Sequence, residues 1–146
     1  MRAVIQRVLE SDVFVENDCV GRSREGMLIY LGVKKDDEQK DAEYLADKIV
    51  NLRIFDDEKG KMTRSLIDIS GSVLVISNVT LYADFSKGRR LSFDKAASQD
   101  KANTLYLYFV QKVKEKGLLV ETGQFGKMMK ISSISSGPVT LILESE

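Results

Sequence analysis

The chain has no histidine and no tryptophan, and only one proline and one cysteine in 146 residues. Without histidine there is no imidazole base, no Ser-His-Asp or Cys-His nucleophile, and none of the usual zinc sites. Cys19 stands alone, so no disulfide can form within the chain, which suits a reducing compartment. A lone cysteine reads first as a small packed hydrophobe. No apolar run approaches the roughly 18 residues of a membrane span, and "MRAVIQRVLE" lacks the apolar core of a signal peptide. Net charge is absent too: 22 Lys and Arg balance 22 Asp and Glu, so a polyanion must be held by a local patch. What remains for chemistry is hydroxyls, carboxylates, lysines, backbone groups and the substrate itself.

The length fits one domain, residues 1–146, able to bury about two-thirds of its unfolded surface. No repeat or linker interrupts it. "RAVIQRV" alternates as a strand from Ala3 to Val8. "DVFVEN" and "CVGRS" read as a hairpin turning at Asn17-Asp18. Gly26 to Val33 is a buried strand. Ala42, Leu45, Ala46, Ile49 and Leu52 recur at helical spacing over Glu38 to Leu52, with Asp36 and Gln39 as a capping box. A tight turn is expected at Glu58-Lys59-Gly60. "GSVLVISNVTLYAD" is a strand covered on both faces. A second helix runs from its cap Ser98 to Gly117, burying Leu105, Tyr106, Phe109 and Val113. Three strands, "LLVETG", "MMKISSIS" and "PVTLILES", close the chain. The class is α+β: a curved, barrel-like, mostly antiparallel or mixed sheet with two main helices.

Three places can carry chemistry. The strand turns polar at Ser77, Asn78 and Thr80. That is either fraying into a turn bonded to its own backbone, or a set of donors for an ester's developing oxyanion. Gly137-Pro138 holds the only proline, at the mouth of the last strand. It is either a strand-initiating proline or bare backbone aimed at a ligand. Lys87, Arg89 and Arg90 in "KGRRLSF" form the best phosphate patch of a neutral chain, which Lys127 and Lys130 could extend. The bland reading is a solvated loop.

In this order the motifs resemble the D-aminoacyl-tRNA (D-tyrosyl-tRNA) deacylase family over nearly the whole chain. The resemblance rests on "MRAVIQRV", "DAEYLADKIVNLRIF", "SNVTLYAD", "KGRR" before "SF", and "VETGQFGKMM" followed by "SGPVTLILES". It implies a cytoplasmic homodimeric carboxylic ester hydrolase with no metal, cofactor or membrane partner. Such an enzyme frees D-amino acids from the 3′ end of aminoacyl-tRNA, and also acts on glycyl-tRNA. It implies Ser77, Asn78 and Thr80 as catalytic residues, with the adjoining RNA hydroxyl assisting. It implies a cis Gly137-Pro138 peptide lent to the partner's site to reject L-substrates, with Val79, Arg7 and Phe125 in substrate binding and chiral selection. Lys87, Arg89 and Arg90 would bind tRNA. Asn78 and Val79 stand where the family usually has Gln and Phe. The alternatives are a non-catalytic RNA-binding module of the same fold and, more distantly, a thiol enzyme using Cys19.

Overall fold

A computed structural model of the chain describes residues 1–86 and 88–145. Its elements are β1 (Arg2–Val15), β2 (Asp18–Ser23), β3 (Gly26–Gly32), α1 (Gln39–Val50), β4 (Phe55–Asp56), β5 (Met62–Arg64) and β6 (Ser72–Ser77). A 3-10 turn (Val79–Tyr82), α2 (Gln99–Lys114), β7 (Leu119–Thr122) and β8 (Lys130–Glu144) complete it. The main sheet runs β2-β1-β3-β6-β7, with β8 on the other edge of β1. β1 is antiparallel to β2, β3 and β8, while β3, β6 and β7 run parallel to one another. Parallel neighbours need a covering crossover, and α1 and α2 supply the two required here. Tight β4–β5 pairing forms a separate small hairpin around the expected turn at Glu58-Lys59-Gly60.

Alternation divides the interior. Met27, Ile29 and Leu31 of β3, with Val73 and Val75 of β6, face the helices and meet Leu45, Ile49, Phe109 and Val113. The intervening Leu28, Leu74 and Ile76 face the concave side with Val8 and Val13, forming a second, smaller core. β6 is therefore buried on both faces, as its unbroken Val-Leu-Val-Ile run requires.

Four local readings of the sequence need correction. β1 is one strand of 14 residues, because β8 pairs along it from Arg2 to Phe14 and carries the ladder past Leu9. The buried Ser11 in that stretch is satisfied by the Ser23 hydroxyl at 2.6 Å. The hairpin turns at Glu16-Asn17, with Glu16 at φ 55°, and a bulge at Val13/Phe14 shifts the register by one residue. The capping box is Glu38 with Asp41, not Asp36 with Gln39. Asp37 is drawn inward instead, to the Met1 ammonium at 2.6 Å and the Lys34 amide at 2.7 Å, so the helix starts later. The last two expected strands are one, β8, continuous across Gly137-Pro138. Ser98 does cap α2, and Gly117 follows its end at φ 81°.

The sheet curls until β7 nearly meets β2. At that seam Gly21 lies against the backbone of β7, and a Cβ there would stand 2.4 Å from the Thr122 carbonyl oxygen. Only glycine permits so close an approach of two main chains. Gly21→Ala is expected to cost about 2 kcal/mol by forcing the seam apart, read as a lower urea midpoint at unchanged slope.

Candidate active site

The polar end of β6 does not continue as a strand. Ser77 is its last residue, and Asn78 N–H still reaches the Leu31 carbonyl of β3 at 2.9 Å. The chain then winds into the 3-10 turn, for which Asn78 is the N-cap. Its side-chain oxygen accepts from Thr80 N–H at 3.1 Å and from the Thr80 hydroxyl at 2.5 Å. Asn78 and Thr80 thus belong to one turn and are not two positions on a strand face. Val79, first in that turn, is half exposed, and its N–H has no acceptor within the turn.

The turn is fastened from outside. Tyr82 is buried, and the Arg2 guanidinium lies 5.0 Å from its ring centroid. Arg2 also donates to the Leu81 carbonyl at 2.6 Å and pairs with Glu144 of β8. Burial, with the nearby Asp37 carboxylate, pushes the Tyr82 phenol well above its ordinary pKa.

Ser77, Asn78, Val79 and Thr80 line one wall of a cavity of about 580 Å³. Phe125, Met128, Met129 and Ile131 supply another wall, and Tyr30 and Ile76 belong to its lining as well. Phe125 is set by Tyr106, whose ring centroid is 5.9 Å away at a 48° tilt. The Tyr106 hydroxyl in turn donates to the Val75 carbonyl at 2.8 Å, tying α2 to the end of β6. Its burial raises that phenol to about 12, so it stays protonated. Sequence reasoning missed Arg2, Tyr30 and Tyr106 as parts of this site. For Tyr30 one signal was available: a phenol in the otherwise aliphatic run "MLIYLGV".

Arg7, Gly137 and Pro138 are brought together, but they do not line this cavity. Along β8, Ser135 pairs with Val8 and Thr140 with Gln6, so Ser136 to Val139 stand opposite Arg7 alone. The surplus chain bulges out of the ladder. The Gly137-Pro138 peptide in it is cis, Gly137 has φ 130°, and both residues are exposed. Arg7 grips the base of the bulge: Nε donates to the Ser136 carbonyl at 3.1 Å and Nη1 to the Ile54 carbonyl at 2.7 Å, with Asp56 at 3.4 Å.

The basic loop leaves from the 3-10 turn and returns to the cavity rim at Ala97. It is pinned by reciprocal Asp84–Ser92 backbone bonds, both 2.8 Å. Hydrogen bonds from Ser86, then Lys95, hold the Asp84 carboxyl down at about 2, so it is ionised at neutral pH. Arg89 and Arg90 are exposed beside it; Lys87 lies outside the described residues. Lys127 is at the cavity, whereas Lys130 sits opposite Phe14 at the far end of β8. Cys19 is exposed rather than packed, beside Arg22 on β2 and not among the cavity residues. Among the described residues no three His, Cys, Asp or Glu side chains group as a metal site would require, and no helix is long and apolar enough to cross a membrane.

Known proteins resemble this chain in sequence and in fold. A family model described as D-Tyr-tRNA(Tyr) deacylase matches residues 4–144. The D-aminoacyl-tRNA deacylase of Thermosipho melanesiensis is 52% identical over 147 residues, covering 100% of this chain and 98% of that protein. That of Bacillus pumilus is 51% identical over 146 residues, covering 100% and 99%. The solved structure of a c-Myc DNA Unwinding Element Binding Protein superposes with a TM-score of 0.93 at 33% identity, covering 100% of this chain and 99% of that one. A probable eukaryotic D-amino acid tRNA deacylase shares the fold at 18% identity, with a TM-score of 0.87 and 98% of each chain covered. The chain belongs to the D-Tyr-tRNA(Tyr) deacylase family.

Arg7→Ala would leave the Ser136 and Ile54 carbonyls without their donor. A loss of about 2 kcal/mol is expected, measured as a shift in the urea midpoint; a shift under about 0.5 kcal/mol would mean that the bulge holds itself.

Proposed function

We propose that this chain, a D-aminoacyl-tRNA deacylase by family, works as a homodimer in which each Gly137-Pro138 bulge completes the partner's cavity. The observation that carries the reading is the separation of two features. The exposed Gly137-Pro138 backbone stands apart from the cavity that holds Ser77, Asn78 and Thr80. A second copy joins the two. Among the described residues β8 has β1 as its one strand neighbour, so its outer edge is open to a partner, and it carries an exposed isoleucine on each face, Ile134 on one and Ile142 on the other.

In the assembled site the terminal adenosine takes the apolar part of the cavity, against the Phe125 ring and the methionines, since aromatic rings and bases stack without regard to sequence. The ester carbonyl lies at the Ser77–Val79 corner, where the Ser77 hydroxyl and Val79 N–H donate to the oxyanion. The partner's Gly137 and Pro138 carbonyls receive the α-ammonium and wall off one side of Cα. An L-substrate held by the same contacts drives its side chain into that wall, whereas a D side chain points outward. Backbone reads the arrangement at Cα and not the side chain, so many D-amino acids are accepted. Glycine, with nothing to collide, is accepted from its tRNA as well.

The chemistry needs little from the protein. An aminoacyl ester is activated, so positioning, oxyanion donors and an aligned water suffice. The neighbouring ribose 2′-hydroxyl assists the attack, which suits a chain without histidine. Thr80 is a positioning residue. Its hydroxyl proton is committed to the Asn78 amide oxygen, which is not a base at neutral pH. Arg89 and Arg90, with Lys87, meet the phosphates of the acceptor end, and the enzyme works in the cytoplasm with its substrate.

A second reading, a non-catalytic nucleic-acid module, draws on the likeness to a protein named for binding a DNA unwinding element. Incubation with D- and L-tyrosyl-tRNA separates the two. Selective, metal-independent release of D-tyrosine is expected, and binding without release would favour the module. Thr80→Ala should lose less than about 100-fold in kcat; a loss of roughly 10⁴-fold or more would reinstate Thr80 as nucleophile.

A further inference from the structure

Tyr30 interrupts the apolar lining of the main cavity. It sits on β3 paired with Ile76 of β6, one step before the Leu31–Ser77 pair, so its side chain shares the concave face of the sheet with Ile76. There it packs with Met129 and Ile131 against the smaller core. It is half-buried, its hydroxyl makes no hydrogen bond to another described residue, and that hydroxyl is not sealed from solvent. Burial raises the phenol above its ordinary pKa, which keeps it neutral and able both to donate and to accept. A hydroxyl so placed stays hydrated while the cavity is open. Once a ligand displaces that water, it needs a partner on the ligand.

We infer that Tyr30 is a specificity-determining residue that hydrogen-bonds the polar edge of the purine at the substrate's 3′ end. The inference rests on the cavity being the seat of the terminal adenosine. It follows from what can be constant there. The amino acid side chains of a broad deacylase share no polar group, so a fixed hydroxyl on the cavity lining would meet none of them regularly. The terminal adenine is the same in every charged tRNA. Its N1 and N7 accept and its 6-amino group donates, and a neutral phenol matches either kind of group. Phe125 and Met129 provide surface for its face, leaving the edge for Tyr30.

The test uses the full chain and tRNA charged with D-tyrosine, ending in adenosine, purine riboside, 1-deazaadenosine or 7-deazaadenosine. With the native chain, at least one base analogue should raise KM about fivefold, the worth of one neutral hydrogen bond. Tyr30→Phe, which keeps the ring and removes the hydroxyl, should raise KM for the adenosine substrate by the same factor and abolish the difference between it and that analogue. The effect should fall on KM more than on kcat. Three results overturn the inference while leaving the deacylase reading intact: no analogue distinguished by the native chain, the same discrimination retained by Tyr30→Phe, or a change only in the ranking of D-amino acids. A native chain that releases no D-tyrosine from ordinary tRNA would instead remove the reading beneath it.

Discussion

Opposite Arg7 the ladder between the two longest strands carries four residues on one side against one on the other. How that mismatch is held decides what this edge of the sheet presents at its surface. The surplus backbone cannot return to the sheet, because the pairs on either side, Val8 with Ser135 and Gln6 with Thr140, are fixed by a strand bonded along both of its edges. Nor is it left loose, because the Arg7 guanidinium ties the Ser136 carbonyl to the Ile54 carbonyl of the preceding loop. A fork of rigid donors is suited to such a bridge, and lysine offers only a point charge in its place. Gly137 tolerates φ 130° and carries no side chain, so the top of the bulge presents peptide groups and little else.

The cavity is built on a similar economy. β6 is buried on both faces up to Ile76 and then ends, because Asn78 caps a turn instead of extending the ladder. Arg2 and Tyr82 hold that turn from the outer side, while Tyr106 sets the Phe125 wall from the helical layer. Donors on one wall and an aromatic surface on the other suit an ester joined to a nucleoside. No strong base is required when the bond to be broken is already activated, and the absence of histidine is then a property of the chemistry and not a deficit.

Much of this was legible in the residues. The helical stripes of α1 and α2, the doubly buried β6 and the cap at Ser98 follow from periodicity and side-chain type alone. Local chemistry was less readable where a distant partner intervenes. Asp36 offered a plausible cap, but Asp37 is claimed by Met1 and moves the helix start. "SNVTL" reads as a strand end by pattern, yet a short amide at Asn78 bonds forward to Thr80 and turns the chain. The segments around Gly137-Pro138 read as two strands, since nothing local shows that β1 runs unbroken beside both. Arg2 and Tyr106 were invisible as site residues because their roles depend on which strand and helix lie opposite, and Tyr30 was marked only by a phenol in an otherwise aliphatic run. The family resemblance supplied an expectation that periodicity could not: that the Gly-Pro segment and the polar end of β6 serve one site, the expectation on which the proposed dimer rests.

If the bulge of one subunit completes the cavity of the other, two differently crippled chains should repair each other. Gly137→Ala would force a Cβ to within 2.7 Å of the Val139 amide nitrogen, spoiling the bulge and sparing the cavity. A chain with Ser77→Ala and Val79→Pro spoils the oxyanion corner and spares the bulge. Each alone should be inactive on D-tyrosyl-tRNA. Mixed and allowed to exchange, half of the dimers pair unlike subunits and contain one intact site, so activity should recover to about a quarter of the native level. No recovery, with exchange verified by mass, would contradict the shared site and confine recognition to a single chain.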